Sequence, residues 1–282
     1  MGAAPGYQIP NTAVHDLPSQ AMKRHYQVWV DLPASYATGD KKYPVVFVTD
    51  PQYAFTLVHG IRHLVGRSGQ NIEDFILVGL ALATGEDPSA SRSRDYTPSN
   101  PLARKDRDPD AYGASVYGGA EAYRDYLQKE VFALIAATYR ADMGRKVFIG
   151  HSYGALFGAC ALLTRPEMFQ AYILGSPSLW FDKKSIFGLE QHYANSHKDL
   201  PARVMLYAGS FETVRPGPRY ARKADLAKDV QQFAGQLQRR RYPSLQIGSQ
   251  IIQDEDHFTV FTALVGRGLL WALPGFGPYV SG

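Results

Sequence analysis

The chain has 282 residues, 45% hydrophobic and 20% charged, an ordinary globular composition whose length suits one large α/β domain, here taken as 1–282. Its 30 Lys and Arg against 26 Asp and Glu leave a formal charge of +4 and a pI near 9.0, and the basic cluster Arg239, Arg240, Arg241 lacks interleaved aromatics, so nothing prompts a nucleic-acid partner. A single cysteine, Cys160, excludes an intrachain disulfide and a multi-cysteine zinc site; no apolar run approaches the roughly 18 residues of a membrane span, and Met1 to Pro10 lacks the basic flank and apolar core of a secretion leader.

Tyr26 to Leu32 alternates and is rich in β-formers, and Tyr43 to Thr49 follows after a Thr-Gly-Asp turn, which predicts two strands, the first an antiparallel edge. Phe55 to Val65 carries a helical stripe. Phe75 to Ala81 is a continuous apolar run, as a strand covered on both faces requires. Thr84 to Gly119 turns to Ser, Arg, Asp, Pro and Gly without a sustained period and reads as a long functional loop.

Beyond it, Glu121 to Arg140 is an amphipathic helix, Lys146 to Gly150 a short strand and Tyr153 to Thr164 a helix of small and apolar residues. Ala171 to Gly175 and Val204 to Ala208 are buried strands, with mixed helix and loop over Lys183 to Ser196 between them. Ala221 to Arg241 is a charged helix, Leu245 to Ile252 the last strand and Phe258 to Leu273 the last helix. Strands alternating with helices from Tyr43 onward predict one doubly wound domain with a mostly parallel sheet and helices on both faces.

Gly150-His151-Ser152-Tyr153-Gly154 fits G-x-S-x-G and lies between a predicted strand and a predicted helix. A serine at the top of a parallel sheet must sit on a sharp strand-to-helix turn, where flanking glycines remove Cβ atoms that would clash. The turn aims the Tyr153 amide at a substrate carbonyl, and the helix N-terminus favours the negative charge that develops there.

Serine needs a base, and in this fold the chain order is Ser, acid, His. Of the histidines after Ser152, His257 follows the last strand and opens the last helix, whereas His192 and His197 lie in a polar stretch. The acid belongs after the preceding strand, where Glu212 is the available carboxylate; the remaining alternative is a dyad without a strong acid. Asp254, Glu255 and Asp256 lie too close to His257 in sequence and read as helix-opening charges. A second oxyanion donor comes from the loop after the strand ending at Thr49. Pro51 has no N–H, which leaves Gln52 or Tyr53.

These residues resemble the esterases of the esterase D type, an α/β-hydrolase family, and within it the branch of enterobactin-type siderophore esterases. The resemblance covers nearly the whole chain. It rests on Asp50 and its loop, Arg92 to Pro98 (RSRDYTP), Gly118-Gly119-Ala120, Gly150 to Gly154, Gly175 to Trp180 (GSPSLW) and His257. It implies ester hydrolysis through an acyl-enzyme without a cofactor, with Ser152 and His257 on the matching positions. Pro51 stands where the family has glycine.

Arg92 and Arg94 are expected near the strand ends, holding an anionic substrate group or bracing the loop. Trp180 and Phe181 are candidates for an aromatic pocket wall with Tyr53 and Tyr153. His59 and His63, four apart, lack the adjoining Glu of a metallohydrolase and read as a helix face, so no metal is expected. The expectation is a serine carboxylesterase for a small-molecule ester, bulky, aryl or of siderophore type. A feruloyl or acetyl-sugar esterase, an acyltransferase and a catalytically silent binding scaffold are the alternatives. Oligomeric state and compartment, cytoplasmic or secreted, are not encoded in any feature of the sequence.

Overall fold

The computed structural model describes residues 8–103, 105, 116–221 and 223–278; most of Met1 to Pro10 and the middle of the predicted loop 84–119 lie outside them. Among the described residues, strands β1 (Thr12–Ser19), β2 (Arg24–Asp31), β3 (Tyr43–Thr49), β4 (Ile76–Leu80), β5 (Ala141–His151), β6 (Ala171–Gly175), β7 (Arg203–Gly209) and β8 (Gln246–Ile252) form one sheet. Their order is β1-β2-β4-β3-β5-β6-β7-β8. β2 runs antiparallel to β1 and β4, and every other pairing is parallel.

Tyr26 to Leu32 is therefore not the edge. β1 lies outside it, and its mostly exposed residues, with Pro18 near its end, give no apolar face from which a strand could be read. β3, β4 and β6 are buried at every position, because helices cover both faces of the sheet.

Helix α1 (Pro51–Leu64) begins four residues earlier than its apolar stripe, directly behind β3. Helix α2 (Pro88–Tyr96) lies within what reads as loop, since its polar sequence has no stripe. Its signal was the Asp87-Pro88 pair: the Asp87 carboxylate accepts the Ala90 N–H at 2.8 Å, and proline suits the first helical position.

The predicted helix 121–140 is α3 (Ala120–Tyr126) joined to α4 (Phe132–Thr138) through a π turn, Leu127–Val131. Then follow α5 (Tyr153–Thr164), α6 (Phe181–Ser196, non-helical at Asp182 to Lys184), α7 (Leu226–Arg240) and α8 (Thr259–Ala272). Residues of α1 and α8 share one buried apolar cluster with one face of the sheet, and α3 to α7 share another with the opposite face.

Between β2, β4 and the far end of α1 lies a buried ion cluster. Arg62 donates to both Asp31 carboxylate oxygens at 2.8 Å and to the Phe75 carbonyl at 3.0 Å, while His59 Nδ1 meets Asp31 at 2.8 Å. His59, with the His63 ring tilted against it at 4.4 Å, thus serves a structural carboxylate. Asp31 is wholly buried, so removing the cation strands a charge in a low dielectric. Arg62→Met is expected to lower the unfolding free energy by about 3–5 kcal/mol, read from denaturant unfolding followed by circular dichroism.

Candidate active site

β5 ends at His151, and the chain must reverse into α5 within a residue. Ser152 accomplishes this at φ 58°, ψ −118°, a conformation that costs of order 1–3 kcal/mol. Three main-chain hydrogen bonds hold it: Ser152 N–H to Gly175 carbonyl at 2.9 Å, Leu156 N–H to Ser152 carbonyl at 2.9 Å, and Ser178 N–H to that same carbonyl at 3.2 Å. Both glycines of the motif are required by contact. A Cβ on Gly150 would lie 2.5 Å from the Gly154 carbonyl, and one on Gly154 would lie 2.2 Å from Thr49 Oγ1.

Glu212 follows β7 in a short turn and is almost fully buried. Its Oε2 accepts from Ser176 Oγ at 2.5 Å and from the Gly209 N–H at 2.7 Å, which leaves Oε1 directed at His257 Nδ1, 2.7 Å away. The carboxylate is thus oriented by two donors before it meets the imidazole. Asp256, beside His257, takes the role of helix-opening charge: it accepts from the Phe258 and Thr259 amides at 3.0 and 3.1 Å and pairs with Arg219 at 2.9 Å. The Arg219 bond, foremost, holds its carboxyl down to about 2.

Ser152 and His257 line the same cleft, at the C-terminal strand ends where open α/β sheets bind ligands. The Ser152 hydroxyl is 3.3 Å from Ser178 Oγ, and no hydrogen bond joins it to His257 in this structure. Ser178, in the GSPSLW stretch, went unsuspected from sequence, as did Ser176. Ser176 adopts a positive φ of 43°, a feature of the folded backbone that leaves no mark on composition.

The cleft has two lobes meeting at Ser152, His257, Arg92 and Phe258. The first, about 520 Å³, adds Tyr153, Trp180, Phe211, Pro218 and Arg219. The second, about 510 Å³, adds Tyr53, Leu57, Phe261 and Thr262.

Asp50 opens α1 in the left-handed region (φ 52°), and Gln52 and Tyr53 fall in the first turn of that helix. The Tyr53 N–H makes a long 3.3 Å bond to the Asp50 carbonyl. Arg92 grips Asp50 through Nε at 2.7 Å and Nη2 at 3.1 Å, and the same Nη2 donates to the His151 carbonyl at 3.1 Å. Burial opposes the Arg92 charge, but Asp50 outweighs it and holds the guanidinium pKa above its usual value. Arg92 therefore braces the oxyanion-loop candidate against the elbow while still facing the cleft.

Two expected binding residues are not in the cleft. Because residues two apart on a helix point to nearly opposite sides, Arg94 faces away from Arg92 and pairs with Asp95 and Glu86. Phe181 is fully buried against Tyr153 and Tyr117. Trp180 does line the cleft, beside Tyr153.

His151 packs its ring 4.7 Å from that of His257 and 5.3 Å from Phe261. Burial first, then the neighbouring His257 and Arg92, pushes its pKa down to about 3. A depressed histidine pKa means that the unfolded chain takes up the proton first. Its contribution to stability is therefore complete above the ordinary histidine range and is lost as pH falls toward 3. The stability difference between wild type and His151→Gln is expected to shrink by about 2 kcal/mol from pH 7 to pH 5, measured by denaturant unfolding at both values.

Residues 19–244 match the family described as "Putative esterase". The chain is 28% identical over 285 residues to the ferri-bacillibactin esterase BesA of Bacillus subtilis, covering 99% of this chain and 96% of the relative. It is 28% identical over 192 residues to the siderophore triacetylfusarinine C esterase of Aspergillus fumigatus, 65% of this chain and 61% of that one. Among solved structures, the BES protein from Bacillus cereus superposes with a TM-score of 0.81 at 23% identity, over 96% of this chain and 99% of the other. With a G-x-S-x-G elbow and a buried carboxylate–histidine pair sharing one cleft, this chain belongs to the Putative esterase family and is an ester hydrolase.

Proposed function

We propose that the chain hydrolyses siderophore-type carboxylic esters as a single domain, with Ser152 as nucleophile, His257 as base and Glu212 as the acid that orients it. The observation that carries the reading is the relay from Ser176 and Gly209 through Glu212 to His257, which ends in the cleft that Ser152 lines. Glu212 engages Nδ1, so the other ring nitrogen, Nε2, is left to take the serine proton. Rotation about the Ser152 Cα–Cβ bond carries Oγ from Ser178 toward His257. Such bonds are commonly loose without substrate.

In acylation, Oγ attacks the ester carbonyl as its proton passes to His257, and the imidazolium, stabilised by Glu212, returns that proton to the leaving alkoxide. In deacylation, His257 takes a proton from water, hydroxide attacks the acyl carbonyl, and Ser152 departs reprotonated. The carbonyl oxygen receives its hydrogen bonds from the Tyr153 amide and from that of Gln52 or Tyr53. Gln52 is favoured, because Pro51 before it contributes no donor and Tyr53 already bonds to Asp50. The siderophore substrate is supported by the near full-length similarity to BesA, and by a two-lobed cleft of about 520 and 510 Å³ suited to a bulky ester.

A fluorophosphonate is expected to add once to the wild type, by intact mass, and not to Ser152→Ala, whose turnover of a p-nitrophenyl ester falls by about 10³-fold or more. Ferric and iron-free bacillibactin then test the substrate class by chromatography of the products. Glu212→Gln keeps the shape but loses the charge that stabilises imidazolium; kcat is expected to fall by about 10²–10⁴-fold with KM little changed, measured by steady-state kinetics.

A further inference from the structure

We infer that Arg219 is a specificity-determining residue: it sets a positive charge in the aromatic-walled first lobe and thereby favours esters that carry an anionic substituent on the arm lying there. This rests on the esterase reading of Ser152 and His257 and says which esters that site prefers.

Arg219 lies in the segment between β7 and α7 and lines the first lobe together with Trp180 and Tyr153. It is held at two points. Its guanidinium covers the Phe211 ring at 4.3 Å from the centroid, and its Nη2 donates to Asp256 at 2.9 Å. Asp256 is itself fixed by the amides of Phe258 and Thr259 that open α8, directly after His257. The arginine is thus tied at two points to residues adjoining Glu212 and His257, although its side chain remains 48% exposed. Much of the rotamer entropy that binding would remove is already lost.

A guanidinium carries five N–H donors in a planar fork, and Asp256 engages one of them. Arg92, the other cation of this lobe, differs: Asp50 and the His151 carbonyl take up its fork. The negative charge of Asp256 is shared between Arg219 and the positive end of α8, so it offsets the arginine field in the lobe only in part.

The walls complete the chemistry. Trp180 and Phe258 line the lobe as apolar rings, and Phe258 is 83% exposed beside His257. A planar or bulky arm that ends in a carboxylate or an ionised phenol fits both features, with its body against the rings and its charge on the guanidinium fork.

The test compares kcat/KM for matched esters that differ only in a carboxylate or carboxamide substituent, placed on the alcohol ring in one pair and on the acyl ring in the other. At low ionic strength the wild type is expected to favour the carboxylate by about fivefold in one of the two pairs. Arg219→Gln should bring that ratio near one, Arg219→Lys should keep part of it, and 0.5 M salt should lower it in the wild type. A wild type indifferent to the substituent in both pairs, or a preference that survives Arg219→Gln or is insensitive to salt, overturns the inference. Fluorophosphonate labelling of each variant shows whether the reaction centre is assembled. Should Arg219→Gln fail to label, the Lys variant and the salt titration of the wild type decide. A wild type that does not label defeats the esterase reading instead, so the two failures are told apart.

Discussion

The structure turns on one backbone conformation, the reversal at Ser152 between a buried strand and a buried helix. A residue at φ 58°, ψ −118° persists only where its surroundings over-determine it. Here the sheet supplies the Gly175 carbonyl, the GSPSLW turn supplies the Ser178 amide, and close packing forbids a Cβ at positions 150 and 154. The strain is local, and its repayment is spread across β5, β6 and α5. The serine side chain consequently stands at the top of the sheet, where the apolar core ends and the cleft begins.

Around that point the other elements act as braces. Arg92 joins Asp50, at the head of α1, to the His151 carbonyl, and so couples the start of α1 to the elbow through one guanidinium. Ser176 and Gly209 fix Glu212 from two directions, and Glu212 fixes His257. Asp256 closes the N-terminus of α8 just beyond the histidine. Those at Arg92 and Glu212 are charge-assisted hydrogen bonds in buried or partly buried settings, where such bonds are strong and an unpaired group is costly.

Periodicity and local chemistry made most of the fold legible. The apolar runs at 43–49, 75–81 and 171–175 are strands because helices cover both faces of the sheet, and the stripe at 226–237 is α7 because one side of it packs inward. β1 and α2 were not legible, the first because an exposed edge strand needs no apolar face, the second because a polar helix stabilised by its cap and ion pairs has no stripe. The loss of α2 had a direct consequence for the site: read as loop, Arg92 and Arg94 look equivalent, whereas on a helix they must diverge.

The sequence by itself determined the strand–elbow–helix unit at Ser152, the alternation that builds a parallel sheet, and the order serine, carboxylate, histidine; these follow from local backbone chemistry and from the connectivity of the fold. Only the tertiary structure decided which carboxylate reaches the imidazole, that Ser176 and Ser178 converge on the site, that Arg92 braces while Arg94 is turned away, and that Arg219 stands over an aromatic lobe. Those outcomes depend on contacts between segments tens of residues apart, such as Glu212 with His257 and Asp50 with Arg92. A side chain's direction at the end of a strand or on a turn of helix is set by packing across the sheet, which no window of neighbouring residues contains.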